Sequence, residues 1–494
     1  MPQTVALYDT AALRALEQRA AQALGDDFLL MQRAGRAAWR CLLAHWPQAQ
    51  RIAVVCGPGN NGGDGYVLAT QALASGRQVQ VLRLAGHAPR SALAQRAHAD
   101  FERAGGQVAV FQGALPAADV VVDAVFGIGL TRAPDAECAA LIAAINAGPA
   151  PVFALDVPSG VDADRGSVPG SAVRAARTLQ FITPHRGLVT GAALDRIGVA
   201  EIAPLELDPA LLRSVPVAAE AWPAGALGDW LPARPRDSHK GDYGHVLCIG
   251  GDHGSGGAIV LCAQAALRSG AGLVSVATRR EHVTALLARQ PEAMVHVVET
   301  AAALAPLLQR ADVVAIGPGL GQGGWGRELL DAVLAAGKPL LLDADALNLL
   351  AAAPRALPAD TILTPHPGEA ARLLGSDSAR VQADRYAAAQ ALAERHDCVV
   401  VLKGAGTLVA APQRTPRAIA AGNPGMAVGG MGDLLSGVIA ALRAQGLAAF
   451  DVAATGALLH AVAGDVAAAA GERGMLPSDL LPQLRRCANP HPQA

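Results

Sequence analysis

The feature that most limits what this chain can fold into is a recurring order of segments: a short apolar run, a turn rich in glycine or aspartate, then a stretch with helical spacing. RIAVVC (51–56) runs into GPGNNGGDG, DVVVDAVFG (119–127) into IGL, and PVFALDVP (151–158) into SGVDADRG. QVQVLRL (78–84) and TLQFIT (178–183) are further runs of the same kind, and residues 10–45 read as two amphipathic helices. Apolar strands separated by helices make βαβ units and a parallel sheet buried on both faces. The rhythm returns in HVLCIGG (245–251), LVSVAT (273–278), VVAIGPG (313–319), PLLLDAD (339–345), TILTPHP (361–367) and CVVVLKG (398–404), and closes with helical stretches at 428–445, 451–470 and 477–486. Residues 204–238 interrupt it with recurring prolines, which puts a domain boundary near 215–225. The glycine spacing of the first half is not repeated in the second, so two different α/β domains are expected, not a duplication.

Composition narrows the function. Of 494 residues, 52% are hydrophobic and 17% charged, enough for large cores, while aromatics at 3% are too few for a base-stacking surface. Up to residue 219 there are 18 basic and 18 acidic residues, and beyond it 22 and 24, so neither half has the positive excess of a nucleic-acid binder. The seven cysteines show no C-x-x-C and no Cys/His cluster, which fits a reducing cytoplasm better than a disulfide framework or structural zinc. The N-terminal stretch lacks a signal-peptide core, and the longest uncharged run, 138–155, is broken by Asn146, Gly148, Pro149 and Pro151, so no membrane span is expected there. Only three of the 40 basic residues are lysines: Lys240, Lys338 and Lys403. Lys240 and Lys403 adjoin glycine turns, where a compact ammonium suits a tight phosphate pocket; Lys338, in AAGKPL, has no such setting.

In the first half, VVCGPGNNGGDGYV (54–67) reads as strand, glycine-rich loop and helix start. Glycines let backbone approach a pyrophosphate, and free N–H groups at a helix start favour anions. The spacing is not G-x-G-x-x-G, so an NAD dehydrogenase is not implied. A plainer reading makes Asp64 a helix N-cap. DAVFGIGLTR (123–132) and LDVPSGVDADRG (155–166) also lie at strand ends, where ligands of open α/β sheets collect. Asp123, Asp156 and Ser159 should therefore face Asn60, Asn61 and Asp64, and such oxygen donors suit a hard cation better than zinc.

In the second half, SHKGDYGHVLCIGGDHGSGGA (238–258), VVAIGPGLG (313–321) and LLDADALNLL (341–350) are strand-end loops of the same sort. TPHPGEAARLL (364–374) starts a helix with Glu369 in its first turn; His366 is either a ligand contact or a cap of its own backbone. In VVVLKGAGTLV (399–409) a lysine and Thr407 on a glycine turn can hold phosphate oxygens. AGNPGMAVGGMGDLLSGVIAAL (421–442) sets Gly429, Gly430 and Gly432 before Asp433 and an apolar helix, an anion cradle with a proton acceptor beside it. The apolar helices of 428–470 read as core or as a subunit interface, and a homo-oligomer is expected.

Through NNGGDGYV, FGIGL and DVPSGVDAD the first half resembles the epimerase domain of the NAD(P)H-hydrate repair family. The resemblance implies a Rossmann-like three-layer domain over 1–218. It implies dinucleotide-hydrate contacts at Asn60, Asn61, Gly62, Gly63, Asp64, Gly127, Ile128, Gly129, Leu130, Thr131, Arg132 and Ala133. It further implies potassium at Asn61, Asp123 and Ser159, and Asp156 at the reacting centre. The family usually shows lysine where TPHRG (183–187) has His185, which is read here as a surface histidine without a role. KGDYG, GPGLG, DADALN, TPHPGE, KGAGT and GNPGMAVGGMGDLLSG resemble the ADP-dependent NAD(P)H-hydrate dehydratase domain, implying a ribokinase-like α/β domain over 222–490. That resemblance implies substrate contacts at Ala258, Gly321, His366 and the catalytic Asp433, and ADP contacts at Lys403, Gly404, Ala405, Gly406, Thr407 and Gly432, with magnesium bridging the phosphates. The implied activity interconverts the R and S hydrates of NADH and NADPH (NADHX and NADPHX) and dehydrates the S form with ADP, releasing AMP and phosphate. Two alternatives stay open: a vitamin or sugar kinase fused to a Rossmann domain, and a nucleotide-binding scaffold whose first domain does not turn over.

Overall fold

In the computed structural model, which describes residues 4–130 and 132–490, the chain divides into two compact units that meet at Ala219 and Glu220 in the sequence. The first unit holds a seven-stranded sheet. From edge to edge it runs Val108–Val110, Gln78–Arg83, Arg51–Cys56, Val120–Ala124, Val152–Leu155, Arg177–Phe181 and Val199–Ala203, every pair parallel. Arg51–Cys56 has Gln78–Arg83 on one side and Val120–Ala124 on the other. The chain leaves it in one direction and crosses back to continue in the other, so the loops at those strand ends part and leave a crevice.

Helices cover both faces of this sheet. Thr10–Leu24 is capped by the Asp9 carboxylate, which accepts from Ala12 N at 2.9 Å, and ends on Gly25 in the left-handed region at φ 70°. Asp27–His45 follows, and its Phe28, Met31, Ala38 and Leu42 join Leu13 and Leu16 in one core against Val54 and Val122. On the opposite face Ala136–Ala147 turns Cys138, Leu141, Ile142 and Ile145 onto Ala53, Val55 and Val121. Each such leucine or isoleucine contributes about 1.5–3 kcal/mol of burial, and the result is a Rossmann-like three-layer sandwich. The edge strands Val108–Val110 and Val199–Ala203 were not among the expected ones. They are short, and Val199 and Ile202 are exposed, so they lack the apolar run that marks an interior strand.

The sheet of the second unit runs Ala219–Pro223, Arg417–Ala420, Leu408–Ala410, Val399–Leu402, Ile362–Leu363, Leu340–Leu342, Val313–Ile316, His245–Ile249, Leu273–Thr278 and Met294–Val297. The pairs flanking Leu408–Ala410 are antiparallel, which makes Lys403–Thr407 the turn of a hairpin. Gly256–Arg268, Met431–Ala444, Ala449–Ala468 and Pro477–Cys487 pack on one face through Ile259, Cys262, Leu434, Val438, Leu458 and Leu480. The small-residue helices are therefore core within a single chain. Ala449–Ala468 is long and apolar enough to cross a membrane, but 78% of its apolar window is buried inside the fold. This mixed α/β architecture is ribokinase-like.

Candidate active sites

The crevice of the first unit begins with the glycine loop. The helix after it spans Asn60–Ala74, so Asn60 to Asp64 form its first turn instead of a loop ahead of it. Gly59, which offers no side chain, is the N-cap, and Asp64 is a buried residue inside the helix. Glycine is dictated here by backbone approach. A Cβ on Gly57 would lie 1.9 Å from the Val125 carbonyl oxygen, and one on Gly62 would lie 2.0 Å from that of Gly57. Gly57→Ala should lower the stability of this unit by about 3 kcal/mol, the upper range of overpacking, read as an early melting step. A melting profile matching wild type would show that the loop gives way.

Asp123 ends its strand completely buried. Its Oδ1 accepts from Ser159 Oγ at 2.6 Å and from Val125 N at 3.2 Å, and its Oδ2 accepts from Ser159 N at 2.8 Å. Burial pushes its pKa up to about 6 against those hydrogen bonds. Asn61 donates Nδ2 to Leu155 O at 3.2 Å, while its Oδ1 is buried with no hydrogen-bond partner. An orphaned acceptor and a fully buried carboxylate suit positive charge, and the amide, carboxylate and hydroxyl oxygens fit a hard cation.

Asp156 sits at φ 64°, left-handed for a non-glycine residue. That turn sends its Oδ2 to Ile128 N at 3.2 Å and its Oδ1 to His185 Nε2 at 2.7 Å. A Cβ on Gly127 would come within 2.8 Å of Asp156 Oδ2, so the FGIGL loop can close on the carboxylate only with glycine there. His185 is 1% exposed, and the reading of it as a surface residue is wrong. Its backbone N donates to Gln180 Oε1 at 2.7 Å, seating the ring beneath Asp156. The sequence signal was its position just past the Arg177–Phe181 strand end, in the same row of loops as Asp123 and Asp156.

Glu17, which the sequence did not single out, belongs to the same group. It is exposed as a residue, yet it lies close enough to Asp156 and His185 to feel their charges, and desolvation, then the Asp156 charge, pushes its pKa to about 7. Asp64 is raised well above the usual carboxylate range by burial and by Asp156 and Glu17. Of the remaining expected contacts, Asn60 accepts from Ser91 Oγ at 2.6 Å. Gly63 is buried in the helix's first turn, Gly129, Arg132 and Ala133 are exposed, and Leu130 is half-buried. Thr131 lies outside the described residues.

In the second unit the strand ends gather around Asp343, which is 1% exposed. Its Oδ1 accepts from Lys403 Nζ at 2.7 Å and its Oδ2 from Ser436 Oγ at 2.7 Å. Lys403 Nζ is also 3.8 Å from Glu369 Oε2. Burial works against the Lys403 charge, but Asp343 and Glu369 outweigh it and raise its pKa. The ammonium expected on phosphate oxygens here hydrogen-bonds Asp343. Asp343 and Ser436 stood inside quoted motifs without an assigned role, because nothing in the spacing says that residues 93 positions apart are bonded.

Asp433 lies in the first turn of Met431–Ala444, whose N-cap is Gly430 at φ 96°, so Asp433 is not the cap. Burial, then Asp343, pushes its pKa to about 7, with Lys403 opposing and Asp345 and Glu369 adding. A Cβ on Gly432 would lie 3.2 Å from Lys403 Nζ, so the glycine turn passes directly over the ion pair. Gly321 N donates to Asp345 Oδ2 at 2.9 Å, and the neighbouring Gly319 would put a Cβ 3.3 Å from that of Ala258. His366 Nδ1 accepts from Gly368 N at 3.0 Å, capping its own helix, while its Nε2 lies 3.4 Å from Glu369 Oε1. In the hairpin turn, Thr407 Oγ1 donates to Gly404 O at 3.1 Å, and Gly404 and Ala405 are exposed while Gly406 is buried. Lys240 is exposed in a one-turn helix, and Lys338 Nζ reaches Gln309 O at 3.4 Å.

Two α/β units, each with carboxylates at its sheet's carboxyl edge beside a glycine turn, have the setting of a two-site enzyme. Residues 28–187 match the family described as YjeF-related protein N-terminus, and residues 246–486 match that described as NAD(P)H-hydrate dehydratase. The chain is 48% identical to the bifunctional NAD(P)H-hydrate repair enzyme Nnr of Coxiella burnetii, over 98% of this chain and 99% of that one. It is 45% identical to the enzyme of that name from Escherichia coli, over 99% and 95%. A solved ribokinase-like superfamily protein of Enterococcus faecalis overlays the second unit at 32% identity and a TM-score of 0.52, covering 55% of this chain and 95% of its own. The chain belongs to the family of bifunctional NAD(P)H-hydrate repair enzymes.

Proposed function

We propose that the first unit interconverts the R and S hydrates of NADH and NADPH, and that the second dehydrates the S hydrate with ADP. The observation that carries the first half is Asp156, held at a strained turn by a buried histidine and a loop amide with its carboxylate facing the crevice. Opening the ring at the hydroxyl-bearing carbon removes a proton from the hydroxyl and delivers one to the ring nitrogen. Closing on the opposite face reverses both transfers. Asp156 is the group placed to take the hydroxyl proton, and Glu17, near pKa 7, is the second carboxyl available to the same crevice. Potassium would be held by Asn61, Asp123 and Ser159, where it supplies the charge that the orphaned amide oxygen and buried carboxylate lack. Asn60–Asp64 and Gly127–Ala133 are the segments that would hold the dinucleotide.

In the second unit, Asp433 takes the proton of the substrate hydroxyl as its oxygen bonds to the β-phosphorus of ADP and the bond to AMP breaks. The phosphate then leaves with the C–O electron pair while the adjacent carbon loses a proton, restoring the dihydronicotinamide double bond. The hairpin turn 404–407 and Gly432 offer backbone to the nucleotide, and Ala258, Gly321 and His366 line the substrate side. Magnesium would draw its ligands from the phosphates, since Asp343, Asp345 and Glu369 are already engaged by protein donors.

Incubation of the protein with ADP and hydrated NADH tests the reading. Return of dihydronicotinamide absorbance with one AMP per turnover is expected, whereas a stable phosphorylated product would establish a small-molecule kinase instead. Near full-length identity to bifunctional repair enzymes favours the first outcome.

A further inference from the structure

Asp343 and Lys403 lie at the ends of two strands, Leu340–Leu342 and Val399–Leu402, that are separated in the sheet by Ile362–Leu363. Their ion pair at 2.7 Å lies beneath Gly432 with Asp343 buried and Lys403 half-buried, and the second oxygen of Asp343 reaches Ser436, one turn after Asp433 on the same helix. Ala344, next to Asp343, is left-handed at φ 47°, a strained conformation for a residue with a Cβ and one that aims the preceding carboxylate. We propose that Asp343 and Lys403 are a positioning pair for Asp433, fixing the helical turn that carries it and the charge against which it gives up its proton, and that the Lys403 ammonium is not a phosphate ligand. This rests on the dehydratase reading of the second unit.

Two separate observations point the same way. The first is geometric. The ammonium directs a hydrogen bond at Asp343 at 2.7 Å and lies 3.8 Å from Glu369, under a glycine whose Cβ would nearly touch it, so its nearest charged neighbours are carboxylates of the protein. The phosphate-facing part of KGAGT is then the exposed backbone of Gly404 and Ala405. The second is electrostatic. The charged groups facing Asp433 are Asp343 and Asp345 from one strand end and the helix after it, Lys403 from the hairpin, and Glu369 from the Pro367–Leu374 helix. His460, from Ala449–Ala468, is held neutral by burial and by Lys403. Burial favours protonated Asp433 first, and Asp343 adds to it while Lys403 opposes, so the pair adjusts the pH at which Asp433 becomes a base.

The test measures kcat/KM for ADP-dependent dehydration against pH in the full chain, with ADP affinity by calorimetry. In Asp343→Asn the acidic limb of the profile should move down by about one pH unit, because a negative charge facing Asp433 is gone. Lys403→Met should move the limb up while leaving ADP affinity within about threefold of wild type. Ser436→Ala, which removes only the helix tether, should lower kcat with KM for ADP unchanged; it also serves if Asp343→Asn does not fold. A limb unmoved in Asp343→Asn, or a loss of more than about tenfold in ADP affinity in Lys403→Met, overturns the proposal. Absence of turnover in the wild type would instead defeat the dehydratase reading, and nucleotide affinity in Lys403→Met would still decide what the lysine does.

Discussion

Asp156→Asn should abolish interconversion of the R and S hydrates, by about 10²–10⁴-fold for loss of one general acid–base group, while ADP-dependent dehydration of the S hydrate proceeds at the wild-type rate. The expectation follows from geometry. The carboxylate is the crevice group gripped from two sides, by Ile128 N and by His185 Nε2, and asparagine keeps the shape while losing the proton affinity. Chromatographic separation of the two hydrates gives both rates from one mixture. If Asp156→Asn still equilibrates the epimers, the first unit binds the dinucleotide without acting on it, and the scaffold alternative is restored.

Asp433→Asn should do the reverse. Dehydration should fall by a comparable factor with ADP still bound, and epimerisation should be untouched. The pH dependence gives an independent check. A base whose pKa is raised to about 7 is mostly protonated, and so inactive, below that pH. Wild-type dehydration should therefore climb as pH rises through about 7 and level off above it. A rate already at its plateau at pH 5 would mean that some other group takes the hydroxyl proton.

How much of this was legible in the sequence depended on whether a property is local. Strand runs such as RIAVVC and VVAIGPG, and the glycine turns after them, announce themselves within ten residues, and so did the parallel sheets and the residues at their carboxyl ends. Asp123, Asp156 and Ser159 do converge, because neighbouring parallel strands bring their ends together whatever the loops contain. His185 was misjudged because histidine on a proline-bearing loop looks solvent-facing. Only the fold shows that Gln180 pulls its backbone under Asp156. Glu17 carries no signal of its own, being one of several polar residues on an amphipathic helix. Lys403 was located correctly beside a glycine turn, yet its partner, Asp343, lies 60 residues earlier, and no local pattern links them. The edge strands were missed for a different reason: half-exposed strands need no apolar run.

The left-handed backbone at Asp156 has one more consequence. Among side-chain-bearing residues, aspartate and asparagine accept that conformation most readily, and most others cost about 1–2 kcal/mol there. A saturation screen at this position would therefore report two quantities at once. Nearly every variant would be less abundant as well as less active, and abundance alone would rank them by backbone tolerance. Asparagine is the substitution that separates the two, and glycine the control that relieves the strain without restoring the chemistry. The protein's tolerance to change at its reacting centre is thus set first by a dihedral angle and only then by a reaction.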